Sequence, residues 1–165
     1  MAERKDQPEK RSLWSHPKTN VIVGFIPEGV GAFAEPIQNR MVFPIDAPPD
    51  FLYALITHEL THIFQYHILF RGRLGSGLRA SPPQWFMEGM ASYFGDDETS
   101  RDEMYMRDAS MADQVPSIMR PPGGFMAYRW GHKVFEYIDE EWGEDVVRDW
   151  VFAFRGNFGG QVGRP

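Results

Sequence analysis

The chain has 165 residues, of which 42% are hydrophobic and 15% aromatic, and this is enough for one folded domain with a buried core. The formal net charge of −6 and the lack of a dense Lys/Arg cluster exclude nucleic acid as the main partner. There is no cysteine, so a metal ion would have to be held by His, Asp or Glu.

The N-terminal segment is charged and has no apolar core, so it does not resemble a signal peptide. Nowhere does the sequence contain an apolar run long enough to span a membrane. We expect residues 1–165 to form a single domain with flexible ends at about 1–19 and 156–165. The glycine-rich end "GNFGGQVGRP" suggests that this domain is excised from a larger protein, which could itself be exported.

Two short runs bounded by Gly and Pro, at 20–27 and 39–45, predict β-strands. Pro44 favours an edge position for the second strand, and the intervening "EGVGAFAEP" is typical of a turn-rich connector. Met41, Phe43 and Ile45 alternate along this predicted edge strand. They could pair with an extended peptide as an added strand, or the strand could simply border the sheet.

Helical patterns follow the strands. Apolar residues recur at helical spacing from 51 to about 70 and predict a first helix, which Asp50 can cap. The pattern at 84–94 predicts a second helix that ends at Gly95. The pattern at 99–112 is weakly helical. The patterns at 125–142 and 144–154 predict two more helices, of which the first is closed by Gly143. The fold class is therefore α+β, with a small N-terminal sheet packed on the first long helix and a mainly helical C-terminal half.

The first predicted helix carries "HELTH", residues 58–62. His58 and His62 are four residues apart and lie about 40° apart around the helix axis, so both can point at one ion. Glu59 lies beside them, where it can touch a metal-bound water without binding the metal. The motif occurs by chance in about one chain in a hundred of this composition, so a pair of structural histidines remains an alternative.

A catalytic zinc site needs a third protein ligand. Gln65 and Ile68 occupy the positions at which the metzincin pattern requires Gly and His, which excludes that class. His67 lies about 140° around the helix from His62, and we interpret it as structural. Glu88, on the next predicted helix in "WFMEGMA", is the better candidate, although an ordinary surface carboxylate is the alternative.

"HELTH" followed by "WFMEGMA" resembles the gluzincin metallopeptidases, whose pattern is H-E-x-x-H and then W-x-x-E-G-x-A. The second part is matched by Trp85, Glu88, Gly89 and Ala91, and small residues at 89 and 91 allow close helix approach. The likeness to the peptidase MA-like branch of that clan covers roughly residues 21–154. It implies a zincin (thermolysin-like) fold. Thermolysin-like members carry an acid four residues after the third ligand to orient a zinc histidine, whereas this chain has Ser92.

The resemblance implies one catalytic Zn2+ held by His58, His62 and Glu88. It also implies a zinc-dependent peptidase that cleaves a peptide or protein substrate with a zinc-activated water and Glu59 as general base. The alternative is a catalytically silent zincin-fold binding or regulatory module of a multidomain protein. Retention of Glu59 speaks against that alternative, because a purely structural site has no use for the base.

The oxyanion donor in gluzincins is usually a tyrosine or histidine on a later helix. "AYRWGH" offers Tyr128, which we favour, and His132 on the same face, while Tyr93, Tyr105 and Tyr137 remain open. Tyr128 could equally pack in the core.

Two further patterns are given structural interpretations. The acidic run "DDETSRDE", residues 96–103, is interpreted as a solvated helix start, although Asp96, Asp97 and Glu98 could instead bind calcium. The five tryptophans, Trp14, Trp85, Trp130, Trp142 and Trp150, are interpreted as core or helix-packing residues.

Overall fold

The computed structural model describes residues 20–23, 31–35, 40–44, 46–70, 82–95 and 97–157. Of the expected flexible ends, 1–19 and 158–165 lie outside these residues, as does Trp14. The elements are β1 (Asn20–Val23), β2 (Phe33–Glu35), β3 (Arg40–Phe43), α1 (Pro49–Phe70), α2 (Gln84–Gly95), α3 (Ser100–Met111), α4 (Phe125–Trp142) and α5 (Glu144–Asn157).

The predicted α+β class with a mainly helical C-terminal half is confirmed. α1 begins two residues earlier than predicted, so Asp50 lies in its first turn and does not cap it. In the part of the chain that the structure describes, no helix combines the length and apolarity that a membrane span requires.

The three strands form one sheet in the order β1-β3-β2. β3 is parallel to β1 and antiparallel to β2, so the predicted edge position of this strand is wrong. Pro44 follows Phe43, the last residue of β3, and therefore removes no hydrogen bond from the ladder. β2 lies within the segment predicted as a connector. Because β3 pairs on both sides, the hypothesis that Met41 and Phe43 pair with a substrate strand loses its basis, and Ile45 lies outside the described residues.

One face of the sheet packs against α1, as predicted. Met41 and Phe43 of β3 are buried in a cluster with Ile63 of α1, and Ala34 of β2 and Leu60 of α1 pack against it. This contact fixes one side of α1. The histidines of "HELTH" lie on the same helix, so the sheet helps to hold the helix that carries them in place.

An aromatic core joins α2, α4 and α5. Trp85 and Phe86 of α2 contact Trp150 of α5, and Trp85 also meets Trp130 of α4 edge to face. The packing role predicted for Trp85, Trp130 and Trp150 is confirmed, whereas Trp142, at the end of α4, is exposed.

α2 lies between α1 and α4 and approaches both closely. A Cβ atom on Gly89 would lie 2.4 Å from the backbone of Gly131, so the small residue beside Glu88 allows contact with α4. α1 approaches at Gly95, where a Cβ atom would lie 3.2 Å from the carbonyl oxygen of Ala54. The two glycines therefore bring the side chains of three helices within reach of one another.

Candidate metal centre

α1 and α2 bring together the three predicted ligands His58, His62 and Glu88. Glu88 Oε2 lies 3.1 Å from His62 Nε2 and 3.5 Å from His58 Nε2. One ligand atom from each residue lies within 4.8 Å of the others, and both histidines are buried. This group can hold a metal ion. His67 is exposed and does not join it, as expected.

Gln65 orients the ring of His62. The Gln65 amide Nε2 donates to the backbone oxygen of Met87 at 2.7 Å, so its Oε1 must be the atom that lies 2.8 Å from His62 Nδ1. Because an amide oxygen only accepts, His62 Nδ1 carries a hydrogen and its Nε2 faces Glu88. Gln65 is fully buried, which fixes this arrangement.

Asp97 orients the ring of His58. Its Oδ2 lies 3.0 Å from His58 Nδ1, so this nitrogen donates and Nε2 faces Glu88. The interpretation of Asp97 as part of a solvated run is therefore wrong, and Asp96 lies outside the described residues. Ser92 occupies the position where the resemblance predicts an acid, and its hydroxyl donates to Asp97 Oδ1. The carboxylate thus comes from the loop beyond α2, and Ser92 supports it.

Arg129 of α4 holds this loop. Its Nη1 donates to Asp97 Oδ1 at 2.8 Å, and its Nε lies 3.3 Å from Asp102 Oδ1. Asp102 is buried and accepts hydrogen bonds from the backbone N–H and hydroxyl of Thr99, at 2.9 and 2.6 Å, at the start of α3. The orientation of His58 therefore depends on contacts from α2, α3 and α4.

Glu59 is 5% exposed and lies beside the histidines. Its Oε2 has no hydrogen-bond partner among the described residues. Burial raises the pKa of Glu59 above its usual value, and the neighbouring histidines only partly offset this effect. A buried carboxylate with one unpaired oxygen can accept a proton from a small molecule next to it.

Without a metal, the group is an ion pair. Burial opposes protonation of His58, but its bonds to Asp97 and Glu88 outweigh burial and raise its pKa to about 9. Burial likewise opposes ionisation of Glu88, but its bonds to His58 and His62 lower its pKa to about 2. A metal ion that binds Nε2 of His58 must therefore displace a proton.

Two tyrosines flank the ligands. Tyr128 stacks on His58 with ring centroids 5.9 Å apart, and burial, followed by the charge of the nearby Glu88, raises its pKa. Tyr66 stacks on His62 at 6.2 Å, and burial with the charges of Glu88 and Glu59 raises its pKa to about 12. Tyr66 was not among the residues predicted from the sequence, although its place four residues after His62 on α1 could have indicated it.

The other donors considered lie in different surroundings. The ring nitrogens of His132 face Ser92 and Glu98, and the Tyr93 hydroxyl donates to Asp139 at 2.7 Å. Tyr105 and Tyr137 are exposed. Of the oxyanion donors considered from the sequence, Tyr128 is the one that the structure places against a predicted metal ligand, His58.

Comparisons with protein-family models, curated proteins and solved structures found no match to this chain.

Proposed function

We propose that this chain is a zinc-dependent peptidase with a zincin-type fold, similar to the gluzincins. The observation that carries the proposal is the buried carboxylate of Glu59 beside the group of His58, His62 and Glu88, because one of its oxygens has no hydrogen-bond partner among the described residues. A site that only holds a metal needs the ligands but not a second buried carboxylate, which costs free energy to desolvate.

The donor set fits zinc. Two imidazoles and one carboxylate form a ligand set that catalytic zinc sites use, with a further position open. Gln65 and Asp97 occupy Nδ1 of the two histidines, which leaves both Nε2 atoms for the ion. When bound, zinc supplies Lewis-acid chemistry, because it polarises a carbonyl oxygen and lowers the pKa of water toward about 7.

The protein's own groups would perform the proton transfers. Glu59 takes the proton of the attacking water and returns it to the leaving amine, and its raised pKa suits both steps. The Tyr128 hydroxyl, which is protonated at neutral pH, donates a hydrogen bond to the oxygen that becomes negative in the transition state. The substrate class is a peptide or protein, and no covalent intermediate is needed.

The test compares cleavage of a generic unfolded protein by wild type and Glu59→Gln. We expect Glu59→Gln to retain zinc and to lose cleavage by about 100- to 10,000-fold, because the general base is gone. The matched control is Glu103→Gln, which changes an exposed glutamate of α3 and should cleave at the wild-type rate. Equal cleavage by wild type and Glu59→Gln would contradict the proposal, as would full activity of zinc-free protein.

The alternative is a catalytically silent zincin-fold binding or regulatory module. It would be favoured if wild type and Glu59→Gln both bound zinc and both failed to cleave any member of a broad peptide library.

A further inference from the structure

A second group of metal-ligating side chains lies on the α4 side of α2. Glu98, His132 and Glu136 each offer one ligand atom, and these atoms lie within 4.8 Å of one another. His132 and Glu136 are four residues apart on α4, and Glu98 comes from the segment before α3. Two ligands four apart on a helix and a carboxylate from another segment are the same arrangement as in the first group.

The hydrogen bonds of Ser92 define which nitrogen of His132 faces Glu98. The single hydroxyl proton of Ser92 is donated to the carboxylate of Asp97, so its oxygen can only accept from His132 Nδ1, 3.1 Å away. In neutral His132 the lone pair is therefore on Nε2, which faces Glu98 Oε2 at 3.9 Å. This separation is too long for a hydrogen bond. A zinc ion between them, with bonds of about 2.0–2.2 Å, would require the two atoms to close by roughly half an ångström.

Glu98 supplies an independent indication of a missing partner. Its side chain is 9% exposed, and its Oε1 is buried with no hydrogen-bond partner among the described residues. An unpaired buried carboxylate oxygen is costly and calls for a cation or donor. The interpretation of Glu98 as part of a solvated helix start is therefore wrong.

A protein cation already offsets the charge of this group. Lys133 Nζ lies 2.6 Å from both Glu98 Oε2 and Glu136 Oε2. One ammonium faces two carboxylates, so the cluster keeps a net charge of about −1 when His132 is neutral. The Lys133 side chain is 28% exposed, and its flexible stem allows the ammonium to move into solvent when another cation binds.

We propose that Glu98, His132 and Glu136 form a second zinc-binding site, in which a Zn2+ ion replaces the ammonium of Lys133. The ion would tie the segment that carries Asp97 and Glu98 to α4. It would also fix the ring of His132, which bonds through Ser92 to the carboxylate that orients His58. This site does not depend on the proposed peptidase activity.

The experiment measures how many Zn2+ ions the metal-stripped full chain binds, by equilibrium dialysis followed by metal analysis. Wild type should bind about two equivalents, and Glu136→Gln should bind about one, because a ligand is removed. Glu140→Gln is the matched control, since Glu140 is exposed one turn further along α4 and should leave both equivalents bound. Circular dichroism of each variant checks that it is folded.

Lys133→Met separates a metal site from a simple ion-pair network. If the ammonium competes with the ion, its removal should raise the affinity for the second Zn2+ by about tenfold. Binding of a single equivalent by wild type, Glu136→Gln and Lys133→Met alike would overturn the second site and leave the peptidase proposal untouched. Conversely, unchanged cleavage by Glu59→Gln would overturn only the peptidase proposal.

Discussion

The substitution Gly89→Ala tests the close crossing of α2 and α4. The added methyl group would lie 2.4 Å from two backbone carbons of Gly131, whereas ordinary carbon contacts begin at 3.4 Å. Because the opposing atoms are backbone, no side chain can rotate away, and the two helices must separate by about 1 Å. Glu88 precedes Gly89, so the separation also moves a predicted zinc ligand.

Two effects of opposite sign set the magnitude. Overpacking costs about 1–3 kcal/mol, and we take the upper end because the clash involves backbone on both sides. Replacing Gly by Ala inside a helix favours the folded state by about 1 kcal/mol. The net expectation is a loss of about 2 kcal/mol in the free energy of unfolding, which lowers the melting temperature by about 4–8 °C in a chain of this size.

Urea unfolding of the metal-free protein, followed by circular dichroism in the presence of a chelator, measures this loss without a contribution from zinc binding. Gly123→Ala is the control, because its Cβ would meet only Gln84 Oε1, at 4.0 Å, and should change stability by less than about 0.5 kcal/mol. A Gly89→Ala protein that is about 1 kcal/mol more stable than wild type would refute the reasoning, since helix propensity alone predicts that result.

Four further predictions concern the proposed metal centre. Zinc must displace the proton of His58, so zinc affinity, measured against a chromophoric chelator, should rise about tenfold per pH unit toward pH 9. Metal-free protein should lose stability as pH rises from 6.5 through about 9, because the raised pKa of His58 means that the folded state holds this proton more tightly than the unfolded state does. A zinc affinity and a free energy of unfolding that do not change with pH would contradict these two predictions. Asp97→Asn should weaken zinc binding by about 10- to 100-fold. The control Asp108→Asn, at an exposed site on α3, should leave it unchanged, and equal affinities of the two variants would show that Asp97 does not orient His58. Tyr128→Phe should lower kcat by about 100-fold with zinc affinity unchanged. A larger loss of kcat in Tyr66→Phe would show that the Tyr66 hydroxyl is the donor to the oxyanion.

The grouping of His58, His62 and Glu88, which the sequence predicted, has a local and a non-local cause. His58 and His62 face one way because the helix repeat fixes their angle whatever surrounds the helix. Glu88 required the packing of two helices, and its prediction rested on its place in "WFMEGMA" on the next helix. The small residues beside it were expected to allow close helix approach, and the close crossing at Gly89 is with Gly131 on α4, since small size shows that a neighbour is close but not which helix it belongs to.

The errors in the sheet have a non-local cause. Pro44 shows only that its own backbone nitrogen has no hydrogen to donate. Whether the preceding residues pair with a strand on one side or on both sides depends on which other strands are present. The neighbouring strand β2 has three residues, too few to show an alternating pattern, and it is flanked by the Gly and Pro that suggest a turn. Strand order is therefore decided by contacts that single-sequence periodicity does not contain.

The acidic run shows how burial can reverse an interpretation based on charge. Asp97 and Glu98 precede a helix and would normally face water, but Arg129 and Lys133 reach them from α4, more than thirty residues later in the chain. The partner cations decide the environment, and their distance in sequence hides them. A usable signal was nevertheless present, because His132 and Glu136 are four apart on one helix, as are the two histidines of "HELTH".

Ser92 explains why the orienting acid lies on a loop and not on α2. Ser92 is fully buried, and its hydroxyl lies between Asp97 and His132 while Arg129 Nη1 approaches at 3.3 Å. An aspartate at this position would place a second carboxylate beside Asp97, with one guanidinium to offset both charges. A neutral hydroxyl instead donates to Asp97 and accepts from His132. The hydroxyl of Ser92 therefore allows Asp97, His132 and Arg129 to share one hydrogen-bond network.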